Sequence, residues 1–154
     1  MNLSGEIAVR APRQAVFDAV RDARFFAGCI DGVRDLTEID RTHYTALFET
    51  TLAYMTFRFK VAVEVTQAAP PDRIEAKLEG TPLGVVGRLT ATSITILTEE
   101  GDETRIAYAI EVALTGKLGS LGRPVLTSKA REMERQFTTR LGAAFAPSSA
   151  RAAP

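Results

Sequence analysis

The feature that most constrains this chain is residues 33–115, where apolar and polar side chains alternate with a period of two. Tyr44, Ala46 and Phe48 alternate with Thr45, Leu47 and Glu49. Phe57, Phe59, Val61, Val63 and Val65 alternate with Arg58, Lys60, Ala62 and Glu64. Further on, Ile74, Ala76 and Leu78 alternate with Arg73, Glu75, Lys77 and Glu79, and Thr104, Ile106, Tyr108, Ile110, Val112 and Leu114 with Arg105, Ala107, Ala109 and Glu111. Period two is the mark of a half-buried strand. Turn-forming clusters at Pro70-Pro71-Asp72, Gly80-Thr81-Pro82-Leu83-Gly84 and Glu100-Gly101-Asp102 divide the run. The pattern predicts about six antiparallel strands, apolar on one face and charged on the other. Such a sheet needs a cover on its apolar side.

The cover is predicted at the end of the chain. Pro124 is suited to a first helical turn, and Leu126, Ala130, Met133, Phe137, Leu141 and Ala144 recur at helical spacing as one stripe. Charged residues on that helix, including Glu132 and Glu134, read as a solvated face. At the other end, residues 2–10 alternate like a strand. Ala11-Pro12 breaks it, and Val16, Phe17, Ala19 and Val20 then take helical spacing. Asp22 reads as the N-cap of a second short helix holding Phe25, Phe26 and Ile30, ended by Asp31-Gly32. The order predicts an α+β fold: a curved antiparallel sheet of about seven strands wrapped around a long C-terminal helix, with two short helices after the first strand. Residues 1–146 read as a single domain and 147–154, rich in Ala, Ser and Pro, as a flexible tail.

Composition narrows the function. Lys plus Arg is 19 and Asp plus Glu is 19, so no basic footprint for nucleic acid exists. Cys29 and His43 are single, which excludes an intrachain disulfide, a multi-cysteine zinc site and a His–His metal pair. No cofactor or metal is expected. Neither a secretory signal nor a membrane-spanning run is visible, so a soluble cytoplasmic protein is the expectation.

Several short pieces, in order along the chain, carry a resemblance. They are Leu3-Ser4-Gly5 with Ala11-Pro12, Cys29-Ile30-Asp31-Gly32-Val33, Pro70-Pro71-Asp72-Arg73, Glu79-Gly80, Gly84 and Gly87, Thr104 and Tyr108, Gly116-Lys117-Leu118-Gly119-Ser120-Leu121-Gly122 and Gln136-Phe137. From Met1 to about Phe145 the chain resembles the family of carbon monoxide dehydrogenase G subunits, within the START-like (polyketide cyclase and lipid-transfer) superfamily. Asp31 stands where that family usually has proline, and residues 50–56 replace what is often a Gly-Pro hairpin. The resemblance implies the helix-grip fold with a cavity between sheet and helix. It implies a non-catalytic accessory of a molybdenum carbon monoxide dehydrogenase or related hydroxylase, peripheral contact at the inner face of the cytoplasmic membrane, and carriage of a hydrophobic small molecule, a quinone or a lipid.

The residues themselves support a ligand cavity without forcing one. The apolar phases hold no Asp, Glu, Lys or His, which argues against an enzyme. His43 reads as a strand-end surface histidine with no acid beside it, and Cys29 as a buried small residue. Candidate lining residues are Phe48, Phe57, Phe59, Ala91, Ser93, Tyr108, Ile110, Leu126, Met133 and Phe137. Between residues 88 and 97 either phase fits the interior. If Leu89, Ala91, Ser93, Thr95 and Leu97 face inward, space is left under the helix. Tyr108 offers a ligand one polar handle, or is bonded within the core. Leu52, Tyr54, Met55 and Leu118 are candidate entrance residues; residues 52–55 contain no Gly, Pro, Asn or Asp and read as a strand bend or an exposed apolar lip. The competing readings are a START-like cyclase or hydrolase acting on an apolar substrate, and an adaptor that holds no ligand.

Overall fold

The computed structural model describes residues 1–146; the expected tail, 147–154, lies outside them. The elements follow in the predicted order: β1 (Asn2–Val9), α1 (Arg13–Arg21), α2 (Ala23–Gly28), β2 (Val33–Glu38), β3 (His43–Leu52), β4 (Met55–Ala69), β5 (Arg73–Pro82), β6 (Gly87–Glu100), β7 (Glu103–Gly116), a 3₁₀ turn (Lys117–Ser120) and α3 (Arg123–Ala144). Seven strands form one antiparallel sheet in the order β1-β7-β6-β5-β4-β3-β2. The Asp22 carboxylate caps α2 by accepting from the backbone N–H groups of Arg24 and Phe25.

Curvature follows from the contacts of α3. The helix touches β1 and also β3, with four strands between them in the sheet. Five strand spacings span about 24 Å when flat, whereas a helix is about 10 Å across. Only a sheet bent around the helix brings both flanks to it.

On β1, β3, β4, β5 and β7 the inward phase is the one expected, and the two-way choice on β6 is resolved. Leu97 is fully buried and Leu89, Ala91, Ser93 and Thr95 are half-buried, while Ile94 and Ile96 are exposed on the convex side. The small residues therefore face the helix. Consistent with that, the core is split. One cluster, under α1 and the end of α3, holds Val16, Phe17, Val65, Leu97, Ile106 and Leu141. A second, at the opposite end, holds Leu52, Phe57, Phe59 and Leu118. Val63, Leu78, Ala91, Ser93 and Ile110 point inward between them, half-buried and in neither cluster. On α3 only Leu141 is fully buried; Leu126, Ala130, Met133 and Phe137 are half-buried, and Ala144 is exposed, which shortens the predicted stripe by its last member.

The segment read as a strand bend or an exposed apolar lip, residues 52–55, is a tight hairpin that exposes Tyr54 and Met55. Leu52 pairs with Met55, leaving a two-residue turn at Ala53 and Tyr54. Ala53 adopts a left-handed conformation (φ 56°) that glycine takes more readily. Two long strands whose inward residues Leu52 and Phe57 are both buried fix this register, so the turn closes despite its composition. Ala53→Gly should raise stability by about 0.5–1 kcal/mol, the relief of left-handed strain less the entropy of glycine. Urea unfolding midpoints check this, and an unchanged or lower midpoint contradicts it.

Candidate functional site

The site is built on the concave face, between α3 and the β3 flank of the sheet. Residues 129, 133 and 136 fall on one side of α3, since positions i, i+4 and i+7 share a helix face. Facing them is the inward edge of β3. Between these elements and the α2–β2 connection lies a cavity of about 370 Å³, partly open to solvent, lined by Asp31, Gly32, Phe48, Glu49, Thr50, Thr51, Thr56, Lys129, Glu132, Met133 and Gln136. Phe48 and Met133 are its apolar surface. Phe48 continues into a row of rings, 6.3 Å from Phe59, which is in turn 6.2 Å from Phe57.

The connection closing the cavity is held tightly. Gly32 (φ 88°) accepts from the Glu49 N–H, and a Cβ there would fall 2.1 Å from the Glu49 carbonyl oxygen, so only glycine fits. Asp31 donates its N–H to Gln136 Oε1 at 3.0 Å, and its carboxylate accepts from Arg140 at 2.5 Å. A proline at position 31 has no N–H to give. Each charged side chain lining the cavity has an opposite neighbour: Lys129 with Glu132 at 2.5 Å, Glu49 with Arg58 at 2.7 Å, and Asp31 with Arg140.

The expected lining residues separate into groups. Phe48 and Met133 line the cavity. Phe57 and Phe59 are buried with Leu52 and Leu118 in one cluster, and Phe137 packs on the other, its ring 5.3 Å from Phe26. Ala91, Ser93 and Ile110 lie together across the β6–β7 ladder, where Ser93 pairs with Ile110. Leu126 is half-buried near the start of α3. Of the entrance candidates, Leu52 and Leu118 are interior, at 6% and 0% exposure, whereas Tyr54 and Met55 are exposed, Tyr54 completely. In an antiparallel meander, the β3–β4 and β5–β6 connections lie at the same end of the sheet. Leu83 and Val86 on the second connection are also exposed, so four apolar side chains fringe that end.

Tyr108 is not a free handle. Its hydroxyl donates to Glu134 Oε1 at 2.5 Å, and that oxygen also accepts from Arg131 at 3.4 Å. Gly5, opposite Tyr108 in the β1–β7 register, makes the room: a Cβ there would lie 2.2 Å from Glu134 Oε1 and 2.5 Å from the Tyr108 oxygen. Glu134 therefore reaches the sheet rather than the solvated face expected for it. Burial, then the Glu134 hydrogen bond and charge, push the Tyr108 phenol up to about 12.

His43 is the exposed strand-end histidine expected, but acids do flank it. Its Nδ1 lies 2.9 Å from Asp40, and its Nε2 is 3.7 Å from Glu64 on the neighbouring strand. The turn before β3 places Asp40, whose carboxyl is held at about 2 by hydrogen bonds from the Thr42 backbone and the His43 ring. This group sits half-exposed on the convex face, away from the cavity. Cys29 is buried and free, and burial raises its thiol against a smaller opposing effect of Arg140.

The family model of the carbon monoxide dehydrogenase G subunits, CoxG, matches residues 5–145. No curated protein matches the chain in sequence. Among solved structures, a conserved protein from Geobacillus kaustophilus superposes with a TM-score of 0.86 at 22% identity, covering 96% of this chain and 97% of the other. A START superfamily protein from Mycobacterium smegmatis gives 0.69 at 13% identity, covering 92% and 94%. The Zhui aromatase/cyclase from Streptomyces gives 0.69 at 12% identity, covering 99% and 97%. At these identities the likeness is one of fold, the helix-grip arrangement.

The Tyr108–Glu134 bond has a pH signature. Burial first and then Glu134 raise the folded pKa to about 12, above the ordinary 10, so the stability that burying the neutral phenol contributes is complete below pH 10 and is lost as pH climbs through 12. In a difference titration against Tyr108→Phe, tyrosinate absorbance from Tyr108 should rise near pH 12, and Glu134→Gln should shift that midpoint downward. An unmoved midpoint removes Glu134 as a cause.

Proposed function

Because the chain belongs to the CoxG family of carbon monoxide dehydrogenase subunits, we propose that it is a non-catalytic accessory protein that carries a hydrophobic small molecule, a quinone or lipid, between α3 and the sheet. The observation that carries this reading is the divided core. A sheet and helix evolved only to pack on each other would bury the middle of their contact most deeply. Here the ends are sealed and the middle, from Ala91 and Ser93 to Ile110 and Met133, is only half-buried. Small residues on the inward phase of β6 keep that middle open, and the cavity at Phe48 and Met133 gives access from the β3 flank.

The same reading assigns the apolar fringe. Tyr54, Met55, Leu83 and Val86 project where the sheet ends, and Lys117 and Arg123 stand on the segments that follow β7. Exposed apolar side chains beside basic ones suit an anionic bilayer surface. No helix among the described residues is long and apolar enough to cross a membrane. In this reading the protein touches the inner face of the cytoplasmic membrane at its fringe and delivers its cargo to a molybdenum hydroxylase.

Acid–base catalysis is a second reading, favoured by the Tyr108–Glu134 pair on the concave side. Turnover of an apolar polyketide that stops in Glu134→Gln would replace the carrier reading with it.

Two experiments test the carrier. Organic extraction of the purified protein followed by mass spectrometry should recover a quinone or lipid. Ala91→Phe should abolish quenching of tyrosine fluorescence by an added quinone and leave the circular dichroism unchanged. An Ala91→Phe protein that unfolds would mean that the site is packed core. For the fringe, Tyr54→Ser with Val86→Ser should lower flotation with phosphatidylglycerol vesicles severalfold, and equal flotation would dismiss the membrane contact.

A further inference from the structure

With Tyr108 held by Glu134, the polar end of a carried molecule needs another partner. We propose that Lys129 is that partner, and that the mouth selects an amphiphile ending in an uncharged carbonyl, a quinone or an acyl ester, over one ending in a carboxylate. The inference rests on the carrier reading above.

The side chain of Lys129 is only 19% exposed and lines the cavity beside Phe48 and Met133. A cation so far from water needs a partner, and Glu132 supplies one at 2.5 Å. An ammonium has three N–H donors. Among the described residues Lys129 uses one of them, leaving two for a ligand.

Charge balance sets the class. Lys129, Glu49 and Asp31 are each already neutralised by Glu132, Arg58 and Arg140. An incoming carboxylate would bring a charge with no free counterion and would stand against three acids. A carbonyl oxygen accepts from Lys129 without dislodging Glu132. Thr50, on the inward phase of β3, lines the cavity beside it and has a hydroxyl to donate. The apolar chain then runs past Met133 toward Ser93 and Ile110.

The test uses the full chain and N-phenylnaphthylamine, an uncharged dye that fluoresces in apolar cavities. The dye should bind the unmodified protein and be displaced by a decyl-substituted benzoquinone and by methyl decanoate, but poorly by decanoic acid. Lys129→Met keeps the aliphatic stem and should weaken displacement by both carbonyl compounds roughly tenfold after correction for the variant's own dye affinity. Lys129→Gln restores an N–H donor and should recover most of the loss. Benzoquinone competing alone identifies a quinone as the cargo, and both competing equally identifies the carbonyl as what is read. Displacement unaffected by Lys129→Met while the dye still binds would overturn the role of Lys129. Decanoic acid as the best competitor would overturn the ligand class. Failure of the dye to bind the unmodified protein would instead strike the carrier reading beneath.

Discussion

The structure depends on a mismatch of widths. Seven antiparallel strands present one apolar face about 29 Å across, and a single helix about 10 Å thick is available to cover it. Leaving the face in water would forfeit the hydrophobic free energy that drives the chain to fold. Bending the sheet around the helix is the response, and α3 touching both β1 and β3 records it. Even bent, the sheet outreaches the helix. Its ends are closed by other parts: α1 at one, the 3₁₀ turn with Leu118 at the other. Between those ends the inward residues Ala91, Ser93 and Ile110 are half-buried, and the small size of Ala91 and Ser93 limits how far α3 can bury the middle of the sheet.

Much of this was legible in the chain because strand periodicity is a local signal. Alternation over residues 57–65 and 104–114 named the inward residues of β4 and β7 correctly, and Asp22 announced its cap. The choice of phase on β6 was not legible, because Ile94 and Ile96 are as apolar as the residues that do face inward. Their placement is decided by register with β5 and β7, where Ser93 stands between Ala76 and Ile110. The hairpin at Ala53 is not encoded locally for a related reason: long-range pairing of β3 with β4 overrides local turn preference.

The site was less legible than the fold. Gly5, Tyr108 and Glu134 are far apart in the chain, and nothing local says that a glycine on one strand clears space for a carboxylate from the last helix. Glu134 reads as one more charge among alternating charges until its neighbour is known. Lys129 reads the same way. The one available signal was spacing: Lys129, Met133 and Gln136 share a helix face, and Gln136 belongs to a motif whose partner is Asp31. Phe48 and Met133 were identified from periodicity alone, but the cavity they share with Lys129 opens at the β3 flank, a position fixed by the bend of the sheet.

The divided core also bears on how the molecule comes apart. Two apolar clusters with no common residue are held together by strands that run through both, so the clusters share hydrogen-bonded ladders but not side-chain packing. Each end can loosen on its own at a free energy below that of global unfolding. Amide exchange then separates into two populations, one tied to Leu141 and α1, the other to Leu118 and the hairpin at Ala53. Under the carrier reading, a molecule lodged between them would add contacts to both clusters and couple the two ends. Filling the grip would then turn two separately loosening halves into one cooperative unit.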